Sequence, residues 1–388
     1  MVSTKTKSND GFCIFLFLEN ITMTMNLKCV KTWKEFPFAL NFFNNPESND
    51  PKFSNLILEW WYKVEGYKSL APFQKEYISY WAKNSPLIEN KYLSKILWLK
   101  DLRVKDESYN PYWTHKDRRS EYIVNVAIEN NVDKIVCLTA WNAWYSLSRY
   151  CSRAWIDYTS LVFPWVSDDR KETLKERWQV ITIDWARYNG ILRPRDFQQI
   201  VAEYDQYERW KTWEKIWAVT NSFEPISINA YKELFYEIKE ENPEYLIVPS
   251  WSGDILIWLW LGIKELGMKT KIIWVWPKDE HPLKYAIKYG TDEYQIDNYR
   301  ENSHAEKLTT PFTAVLPILY KIFSEEWNIY TEVDNEEIIK TREILEWIGF
   351  KVENSAVPAF ATFLSKEKPD IDFNSKIIIV STGKGIEN

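Results

Sequence analysis

Residues 105–118 read Lys-Asp-Glu-Ser-Tyr-Asn-Pro-Tyr-Trp-Thr-His-Lys-Asp-Arg and lie just before a pattern that predicts a helix over residues 119–130. The Asn-Pro pair favours a turn, so Lys116 is expected where a turn enters a helix. An amine at such a point can attack a carbonyl group and afterwards act as an acid or a base. A lysine in a charged loop is more often simply solvated, so its role depends on the rest of the chain.

Short apolar runs alternate with longer amphipathic stretches along most of the chain. The runs are rich in Ile and Val and are bounded by turn residues, which is typical of buried parallel strands. This alternation predicts an α/β fold with mainly parallel sheets, in which ligands bind beyond the carboxyl ends of the strands. The predicted strands are residues 134–139, 158–163, 179–183, 215–219, 245–249, 271–275 and 376–381. The predicted helices are residues 119–130, 145–153, 226–241, 255–266 and 336–347.

The composition restricts the class of protein. The chain has 388 residues, enough for about two domains, and 45% hydrophobic residues, enough for a sizeable core. A formal net charge of −6 argues against nucleic acid or an anionic membrane as the main partner, because both require a basic surface. The four cysteines have no CxxC spacing and suggest no disulfide framework, which favours a reducing, cytoplasmic location. The three histidines lack metal-binding spacing, so no metal site is expected.

Tryptophan is abundant in this chain and glycine is scarce. There are 22 Trp and 10 Gly, whereas glycine normally supplies about 7% of residues. Several tryptophans stand where a chain usually needs glycine, among them Trp113, Trp185 and Trp251. Only glycine takes positive φ freely and lets the backbone approach a ligand closely. We therefore hypothesise that UGA codons of this gene encode glycine in the source organism; the alternative is a genuinely Trp-rich protein.

The N-terminal segment is expected to stand apart from the rest of the chain. The apolar run at residues 12–18 is too short to span a bilayer and has no small-residue cleavage site after it. Met23 and Met25 follow closely. We expect translation to start at one of these two methionines, so that about the first 24 residues are not native.

With glycine at position 113, residues 105–118 resemble the K-x-E-x-x-N-P-T-G-S-F-K-D-R block of fold-type-II pyridoxal 5'-phosphate (PLP) enzymes, especially threonine synthases. The resemblance implies that Lys116 is the catalytic residue and carries the cofactor. It also implies two subdomains with mainly parallel sheets flanked by helices, and PLP in the cleft between them. Residues 1–75 would be an N-terminal lead-in. Residues 76–388 would form the catalytic fold, with a smaller subdomain at roughly 119–222 inserted into the larger one.

Residues 134–156 resemble a second family segment once their tryptophans are read as glycine. That segment is a strand, an S-T-G-N-T-x-x-S turn and a helix ending in A-R-A-G-I. The resemblance implies that Asn142 contacts the ring hydroxyl of PLP. It also implies that the backbone around Thr139, Ala140 and Ala143 binds the substrate carboxylate at a helix N-terminus, where free N–H groups favour anions. Two of these positions are alanines where the family has threonines, and a simple N-cap role for Asn142 is the structural alternative.

Residues 245–255 resemble the phosphate loop of the family, P-V-G-x-G, when Trp251 is read as glycine. A Gly-rich turn from a strand into a helix holds phosphate with backbone N–H groups. The resemblance therefore places Trp251, Ser252, Gly253 and Asp254 at the cofactor phosphate. A lone G-x-G is weak evidence, and its weight here comes from its order and spacing relative to the lysine block. The indole of Trp251 as written would obstruct the loop.

Residues 376–385 resemble the terminal strand and T-G-x-G turn of threonine synthases. The resemblance implies that Thr382 hydrogen-bonds the pyridine nitrogen of PLP. A neutral hydroxyl does not stabilise a protonated ring, which suits elimination and replacement better than transamination. The alternative is an ordinary turn at the end of a strand.

The motifs that bind substrate in this family are poorly kept. The G-N-F-D-D stretch corresponds to residues 185–189, where Ala186 replaces the expected Asn. The E-G-Q-K-T stretch corresponds to residues 229–233, where only Lys232 is kept as a substrate-binding candidate. These stretches help to bind phosphohomoserine in threonine synthases, so the exact substrate is left open.

The sequence therefore predicts a PLP-dependent lyase that acts on a small amino acid. Threonine synthase chemistry, in which phosphohomoserine and water give threonine and phosphate, is the leading form. The alternatives are a related β-elimination or β-replacement enzyme, such as a Ser/Thr dehydratase or a cysteine or cysteate synthase, and a degenerate non-catalytic relative if the tryptophans are real. Relatives are often dimers, so a homodimer is a candidate assembly.

Overall fold

The structure is a computed structural model. It describes residues 24–29, 34–37, 39–40, 56–61 and 78–385, the last range with gaps at 80, 139–141, 163, 165–167, 176–177, 185–186, 188–192, 194–195, 198, 205, 207–213, 221–223, 280, 298–302 and 325–327. Met23, one of the two candidate translation starts, lies outside the described residues, and so do Thr139, Ala140, Trp185 and Ala186.

The described strands and helices alternate from the end of the N-terminal segment onwards. The strands are β1 (Thr24–Cys29), β2 (Glu35–Pro37), β3 (Leu56–Trp61), β4 (Leu87–Glu89), β5 (Asp101–Asp106), β6 (Lys134–Leu138), β7 (Asp157–Val162), β8 (Gln179–Thr182), β9 (Ile216–Thr220), β10 (Tyr245–Pro249), β11 (Lys271–Pro277), β12 (Ile329–Val333) and β13 (Lys376–Ser381). The α-helices are α1 (Lys91–Leu97), α2 (Lys116–Glu129), α3 (Asn142–Ala154), α4 (Asp168–Lys175), α5 (Lys232–Ile238), α6 (Asp254–Glu265), α7 (Pro282–Tyr289), α8 (Leu316–Ser324), α9 (Asn335–Trp347) and α10 (Val357–Ala361).

Three sheets organise the described chain. A six-stranded sheet has the order β12-β11-β10-β13-β5-β4, and a four-stranded sheet has the order β8-β7-β6-β9. Every pair in these two sheets is parallel except β4 with β5. A small antiparallel sheet, β2-β1-β3, precedes them in the chain. This is the α/β fold with mainly parallel sheets that the sequence pattern predicts.

The four-stranded sheet is built from the chain between two strands of the larger sheet. Its strands lie in sequence after β5 and before β10, and the larger sheet resumes with β10. This order fits an inserted subdomain. The limits 119–222, and the limits of the N-terminal lead-in at 1–75, stay predictions.

The central strands of the large sheet are buried on both faces. In β10, Leu246 and Val248 enter one core cluster, whereas Ile247 between them enters a second cluster on the opposite face. Ile247 is in register with Ile273 of β11, and it is also in register with Ile379 of β13. A parallel sheet covered by helices on both faces requires such continuous apolar strands. None of the described helices is long and apolar enough to cross a membrane.

Every predicted strand and helix is present, but strands β1–β5 and β12 and helices α1, α4, α7, α8 and α10 were not predicted. Three differences are informative. Helix α2 begins at Lys116 itself, so this lysine is the first helical residue and does not lie in the preceding turn. The helix predicted over residues 226–241 is divided into a 3-10 turn at Ser227–Tyr231, α5, and a second 3-10 turn at Lys239–Glu241. Strand β5 carries four charged residues among six and was missed, because its charges are matched by distant partners.

Six helices end in the same way. A left-handed residue follows the helix, and the N–H of the next residue donates to the carbonyl five positions before it, which is the Schellman arrangement. Glycine normally holds the left-handed position because it has no Cβ. The six left-handed residues are Gly267, Gly290, Gly349, Asn131, Trp98 and Trp155. Two helices therefore carry the bulkiest side chain where three others carry glycine.

In the described part of the chain, every residue with positive φ is a glycine, an asparagine, an aspartate or a tryptophan. The non-glycine residues with positive φ are Asn84, Asn131, Asn242, Asp279 and four tryptophans, Trp81, Trp98, Trp113 and Trp155. Asn and Asp tolerate this region, and other residues do so at a cost of about 1–2 kcal/mol. Trp81, Trp98 and Trp155 are 82%, 78% and 96% exposed, so no packing of the indole compensates for that cost.

Replacement of Trp155 by glycine is expected to raise the free energy of unfolding by about 1 kcal/mol, because it relieves the left-handed strain without removing buried surface. Trp347 is the matched control: it is 82% exposed but is the last residue of helix α9 and does not have positive φ. Trp347→Gly should lower the free energy of unfolding by about 0.5–1 kcal/mol. Urea unfolding of both variants measures the difference, and equal destabilisation by both would contradict the strain argument.

Candidate active site

Lys116 is presented by a rigid turn that joins β5 to α2. Asn110 donates to the Glu107 carboxylate over 2.7 Å, and the Tyr112 N–H donates to the Asp117 carboxylate over 2.6 Å. Thr114 forms a bridge to Gly383 at the end of β13. A Cβ on Gly383 would lie 2.6 Å from the Trp113 carbonyl oxygen, so glycine is required where the two turns meet. The lysine turn and the C-terminal turn are therefore locked together.

A buried ion cluster of Lys105, Glu107, Arg118 and Glu237 lies beneath this turn. Arg118 contacts Glu107 and Glu237 with N–O distances of 2.6 Å each, and Lys105 contacts Glu237 at 2.6 Å. The two cations and two carboxylates have side chains no more than 3% exposed. Charges this deep are tolerated only when they are paired and hydrogen-bonded. The cluster thus fixes β5, the start of α2 and α5 in one arrangement.

The Lys116 amine faces Asp254 and Tyr231. Its Nζ lies 3.5 Å from Oδ2 of Asp254 and 5.3 Å from the centroid of the Tyr231 ring. Burial lowers the pKa of Lys116, but the Asp254 carboxylate and Tyr231 outweigh that effect and leave the pKa above its ordinary value. Without a ligand the amine is therefore a cation held against the loop that precedes α6.

His115 is held as a neutral acceptor next to Lys116. Burial, with the neighbouring Lys116 cation, lowers the pKa of His115 from 6.5 to about 3. Its Nδ1 lies 2.9 Å from the Thr382 carbonyl oxygen, so Nδ1 carries the hydrogen and Nε2 is the unprotonated nitrogen. The His115 N–H also donates to the Thr382 carbonyl over 2.9 Å. This fixes Thr382 beside the lysine, and the Thr382 hydroxyl has no hydrogen-bond partner among the described residues.

The loop between β10 and α6 forms a compact turn at a helix N-terminus. Gly253 has φ of +84°, and a Cβ there would lie 2.6 Å from the Leu319 side chain, so only glycine fits. The Thr313 hydroxyl donates to the Ser252 carbonyl over 2.8 Å and fixes the turn. Trp251 is half-buried, and its indole N–H donates to the Thr309 carbonyl over 2.7 Å. The loop therefore has the shape of an anion cradle, with an indole at the position where the family has glycine.

Asn142 is the first residue of α3 and takes part in a polar contact across the fold. Its amide nitrogen lies 3.1 and 3.0 Å from the two carboxylate oxygens of Glu353. Lys307 in turn contacts Glu353 at 2.8 Å and donates to the Asn142 oxygen over 3.3 Å. Glu353 is joined to the C-terminal turn, since its N–H donates to the Gly383 carbonyl over 3.0 Å. Asn142 is thus connected through Glu353 to the residues beside Thr382.

The other substrate candidates are placed differently. Ala143 follows Asn142 in α3 and is buried, whereas Thr139 and Ala140 are outside the described residues. Lys232 pairs with Glu265 at the last position of α6, the opposite end of the helix from Asp254. At 1.5 Å per residue the two ends are about 16 Å apart. The structure therefore does not bring Lys232 together with Lys116.

Two comparisons of sequence decide the family. The model of the family "Pyridoxal-phosphate dependent enzyme" matches residues 78–383, which is most of the chain. The chain belongs to the pyridoxal-phosphate dependent enzyme family. The threonine synthase of Methanocaldococcus jannaschii is 25% identical over 326 residues, covering 78% of this chain and 75% of the relative. The threonine synthase of Methanosarcina acetivorans is 23% identical over 304 residues, covering 75% and 72%.

Solved structures show the same fold at low identity. Maize serine racemase matches with a TM-score of 0.63 and 16% identity, covering 78% of this chain and 88% of the other. The processed form of threonine deaminase isoform 2 from Solanum lycopersicum matches with a TM-score of 0.60 and 15% identity, covering 78% and 84%. The protein is thus a PLP-dependent enzyme with the fold of these neighbours, and its cofactor is pyridoxal phosphate.

The residues around Lys116 fit this cofactor. The site offers an amine, a glycine turn at a helix N-terminus, and a buried hydroxyl that accepts and donates no hydrogen bond by geometry, Tyr231 Oη. Leaving a buried polar atom unsatisfied costs about 1–3 kcal/mol, so such atoms are expected where a ligand completes the site. Lys116, Gly253 and the hydroxyl of Thr382 would hold the aldehyde carbon, the phosphate and the ring nitrogen.

Three residues at the site escaped the sequence prediction. Tyr231 was included in a family stretch without a role, yet its ring lies against both Lys116 and His115. Glu353 and Glu237 are more than 100 positions from their partners Asn142 and Arg118. The sequence assigned no role to either glutamate.

Glu237→Gln tests the buried ion cluster. Burial alone would raise the pKa of Glu237, but Arg118 and Lys105 hold it at about 2, below its ordinary 4.5. The stabilisation is therefore complete above about pH 4.5 and is lost as the pH falls towards 2. The variant should lose about 3–5 kcal/mol of unfolding free energy at pH 7, and less at pH 3. Urea unfolding at both pH values measures this.

Glu336→Gln is the control for this prediction. Glu336 pairs with Lys340 on the surface with its side chain 62% exposed. Its unfolding curve at pH 7 should coincide with that of the parent protein. A Glu237→Gln variant that is as stable as the parent at pH 7 would refute the assigned role of the cluster.

Proposed function

We propose that the protein is a lyase of the threonine synthase type, which converts phosphohomoserine and water to threonine and phosphate. The observation that supports this most is the arrangement of one buried amine, Lys116, between the glycine turn before α6 and the turn that carries Thr382. The threonine synthases that match over three quarters of the chain support the same reaction.

The residues divide the work as follows. Lys116 would hold the cofactor through its amine, and the same amine would move protons at the α- and β-carbons of the substrate. PLP, when bound, would supply an electron sink for those carbons. The turn at 251–254 would hold the phosphate end, and Asn142 and Thr382 would orient the ring. Thr382 offers a neutral hydroxyl, which would not stabilise a protonated ring nitrogen and so suits elimination followed by addition of water.

His115 and Tyr231 define the surroundings of the moving proton. Both lie next to Lys116, and neither is charged at neutral pH, because burial lowers the pKa of His115 and raises that of Tyr231. Lys116 is then the one group in this trio that can gain and lose a charge. Neither His115 nor Tyr231 therefore takes the proton from Lys116.

A second candidate is a related β-elimination or β-replacement enzyme, such as a Ser/Thr dehydratase or a cysteine or cysteate synthase. It is favoured by the loss of the family substrate motifs, and by the position of Lys232, whose amine is paired with Glu265 away from Lys116. A cytoplasmic homodimer acting on a small amino acid, with no nucleic-acid or membrane partner, is the assembly and setting we propose for either activity. A degenerate, non-catalytic relative would follow if the tryptophans are real.

We further propose that tryptophans at family glycine positions are glycines in the native protein, encoded by UGA. The support is structural: four tryptophans adopt the left-handed backbone that glycine prefers. In addition, the indole nitrogens of Trp217 and Trp258 are buried without hydrogen-bond partners. Peptide mass spectrometry of protein from the source organism should find glycine at positions 113, 155 and 251. Tryptophan at these positions would refute the proposal and leave the degenerate relative as the better interpretation.

The activity is tested with purified holoenzyme and two substrates. Phosphohomoserine should yield inorganic phosphate and threonine in equal amounts, and serine or threonine should yield little 2-oxo acid. Lys116→Ala should remove both the visible cofactor absorbance and at least about 10³-fold of the activity, since it removes the acid–base group. Lys288→Ala is the control, because Lys288 is an exposed lysine on α7, and this variant should retain full activity. Lys105→Ala is not a suitable control, because it disrupts the ion cluster. Release of 2-oxo acid from serine without phosphate release would favour the second candidate.

A further inference from the structure

A carboxylate of the chain lies in the turn that the cofactor phosphate is expected to enter. Asp254 is the first residue of α6, follows Gly253 and is buried. The Ser252 hydroxyl donates to its Oδ1 over 3.3 Å. The N-terminus of a helix stabilises a negative charge through its free N–H groups and its dipole. In the protein without cofactor, that negative charge is supplied by the chain itself.

Lys116 is the counter-ion of this carboxylate. Its Nζ lies 3.5 Å from Oδ2 of Asp254, and the two side chains are 15% and 4% exposed, so water screens the pair only weakly. Burial lowers the pKa of Lys116, and the Asp254 carboxylate is the largest of the opposing effects that leave it raised. An ammonium group has no lone pair, so Lys116 must lose a proton before it can attack an aldehyde carbon.

The other groups around the amine do not share this role. The titratable or charged side chains that interact with Lys116 in the described part of the chain lie on different elements and are Asp254, Tyr231, Arg119, His115 and Cys137. Burial raises the pKa of the phenol and of the thiol, and it lowers the pKa of the imidazole, so these three groups are neutral at pH 7. The guanidinium is a cation and lowers the pKa of Lys116. Asp254 is therefore the anion of this group.

The cofactor phosphate and the Asp254 carboxylate compete for the same helix N-terminus. A phosphate monoester carries about −1.5 to −2 charges at pH 7. Two anions at one buried turn repel each other, because little water is present to screen them. Asp254 directly follows Gly253, whose turn is the expected phosphate cradle. Cofactor binding therefore requires the carboxylate to leave the turn.

We propose that Asp254 is a positioning residue that controls cofactor loading: its carboxylate is the counter-ion of Lys116 before the cofactor binds, and the cofactor phosphate displaces it. The proposal rests on the proposed role of Lys116. Released from its counter-ion, the Lys116 ammonium gives one proton to solvent. The neutral amine then forms a C=N bond with the aldehyde carbon, and the aldehyde oxygen leaves as water with the two remaining hydrogens of the amine.

The test measures cofactor binding by the full-length protein after its cofactor has been removed. Asp254→Asn and Asp254→Ser both remove the charge and differ in size, and both side chains are well tolerated near the start of a helix. Asp168→Asn is the matched control, because Asp168 is also the first residue of a helix, α4, and its side chain is 94% exposed. The probes are PLP and pyridoxal, which has the same aldehyde but no phosphate. Visible absorbance reports the C=N bond, and urea unfolding shows that each variant is folded.

Asp254→Asn should bind PLP at least about tenfold more tightly at pH 7, because loss of the carboxylate lowers the pKa of Lys116 and removes the repulsion of the phosphate. A lower pKa leaves more of the amine neutral at any pH below it. The affinity should therefore reach its plateau at a pH about 1 unit or more below that of the parent protein. Pyridoxal should gain less than PLP, since the repulsion does not act on it. Asp254→Ser should behave in the same way, and Asp168→Asn should match the parent.

PLP binding by Asp254→Asn that is equal to or weaker than that of the parent would overturn the proposal, as would an unchanged pH dependence. A purely structural role of Asp254 predicts that result. Equal gains with PLP and pyridoxal would also overturn it, because the phosphate would then not compete with the carboxylate. Failure of the proposed function is a separate result: a loaded parent enzyme that releases no phosphate from phosphohomoserine contradicts the proposed reaction and leaves the binding result unchanged.

Discussion

The pairing of Arg118 with Glu107 and Glu237 is the constraint on which the site depends. It joins three parts of the chain that are distant in sequence: the end of β5, the first turn of α2 and helix α5. Lys116 is two residues from Arg118 in the same helical turn, so its position follows from that pairing. Buried ion pairs are costly to form, and this one is retained where a lysine must be presented at a fixed angle. Its stability also explains why the lysine turn can carry polar residues in the interior.

The turn that carries Thr382 is the second half of the same construction. The His115 N–H donates to the Thr382 carbonyl, which attaches this turn to the lysine turn. Glu353 donates its N–H to the Gly383 carbonyl and accepts from Asn142, which attaches the turn to the start of α3. The large sheet and the smaller sheet therefore meet through side chains that are also the expected cofactor ligands.

Sequence reasoning predicted what is local and missed what is assembled over long distances. The apolar strands at Tyr245–Pro249 and Lys376–Ser381 were predicted with their observed bounds, because each is a continuous run of buried residues. Lys116, Asn142 and Thr382 could be proposed as site residues because each lies in a short block of recognisable order. Tyr231, Glu237 and Glu353 could not be found, since their roles come from partners more than 100 residues away. Strand β5 was missed for the same reason, because its charges have partners only in the folded protein.

The central claim is that Lys116, held by this construction, carries the cofactor. The most direct measurement is to reduce the purified holoenzyme with borohydride, which fixes the cofactor to its lysine, and to map the modified peptide by mass spectrometry. The account predicts a pyridoxyl group on Lys116 and on no other lysine. A pyridoxyl group on a different lysine, or none in a protein that retains its folded structure, would contradict it.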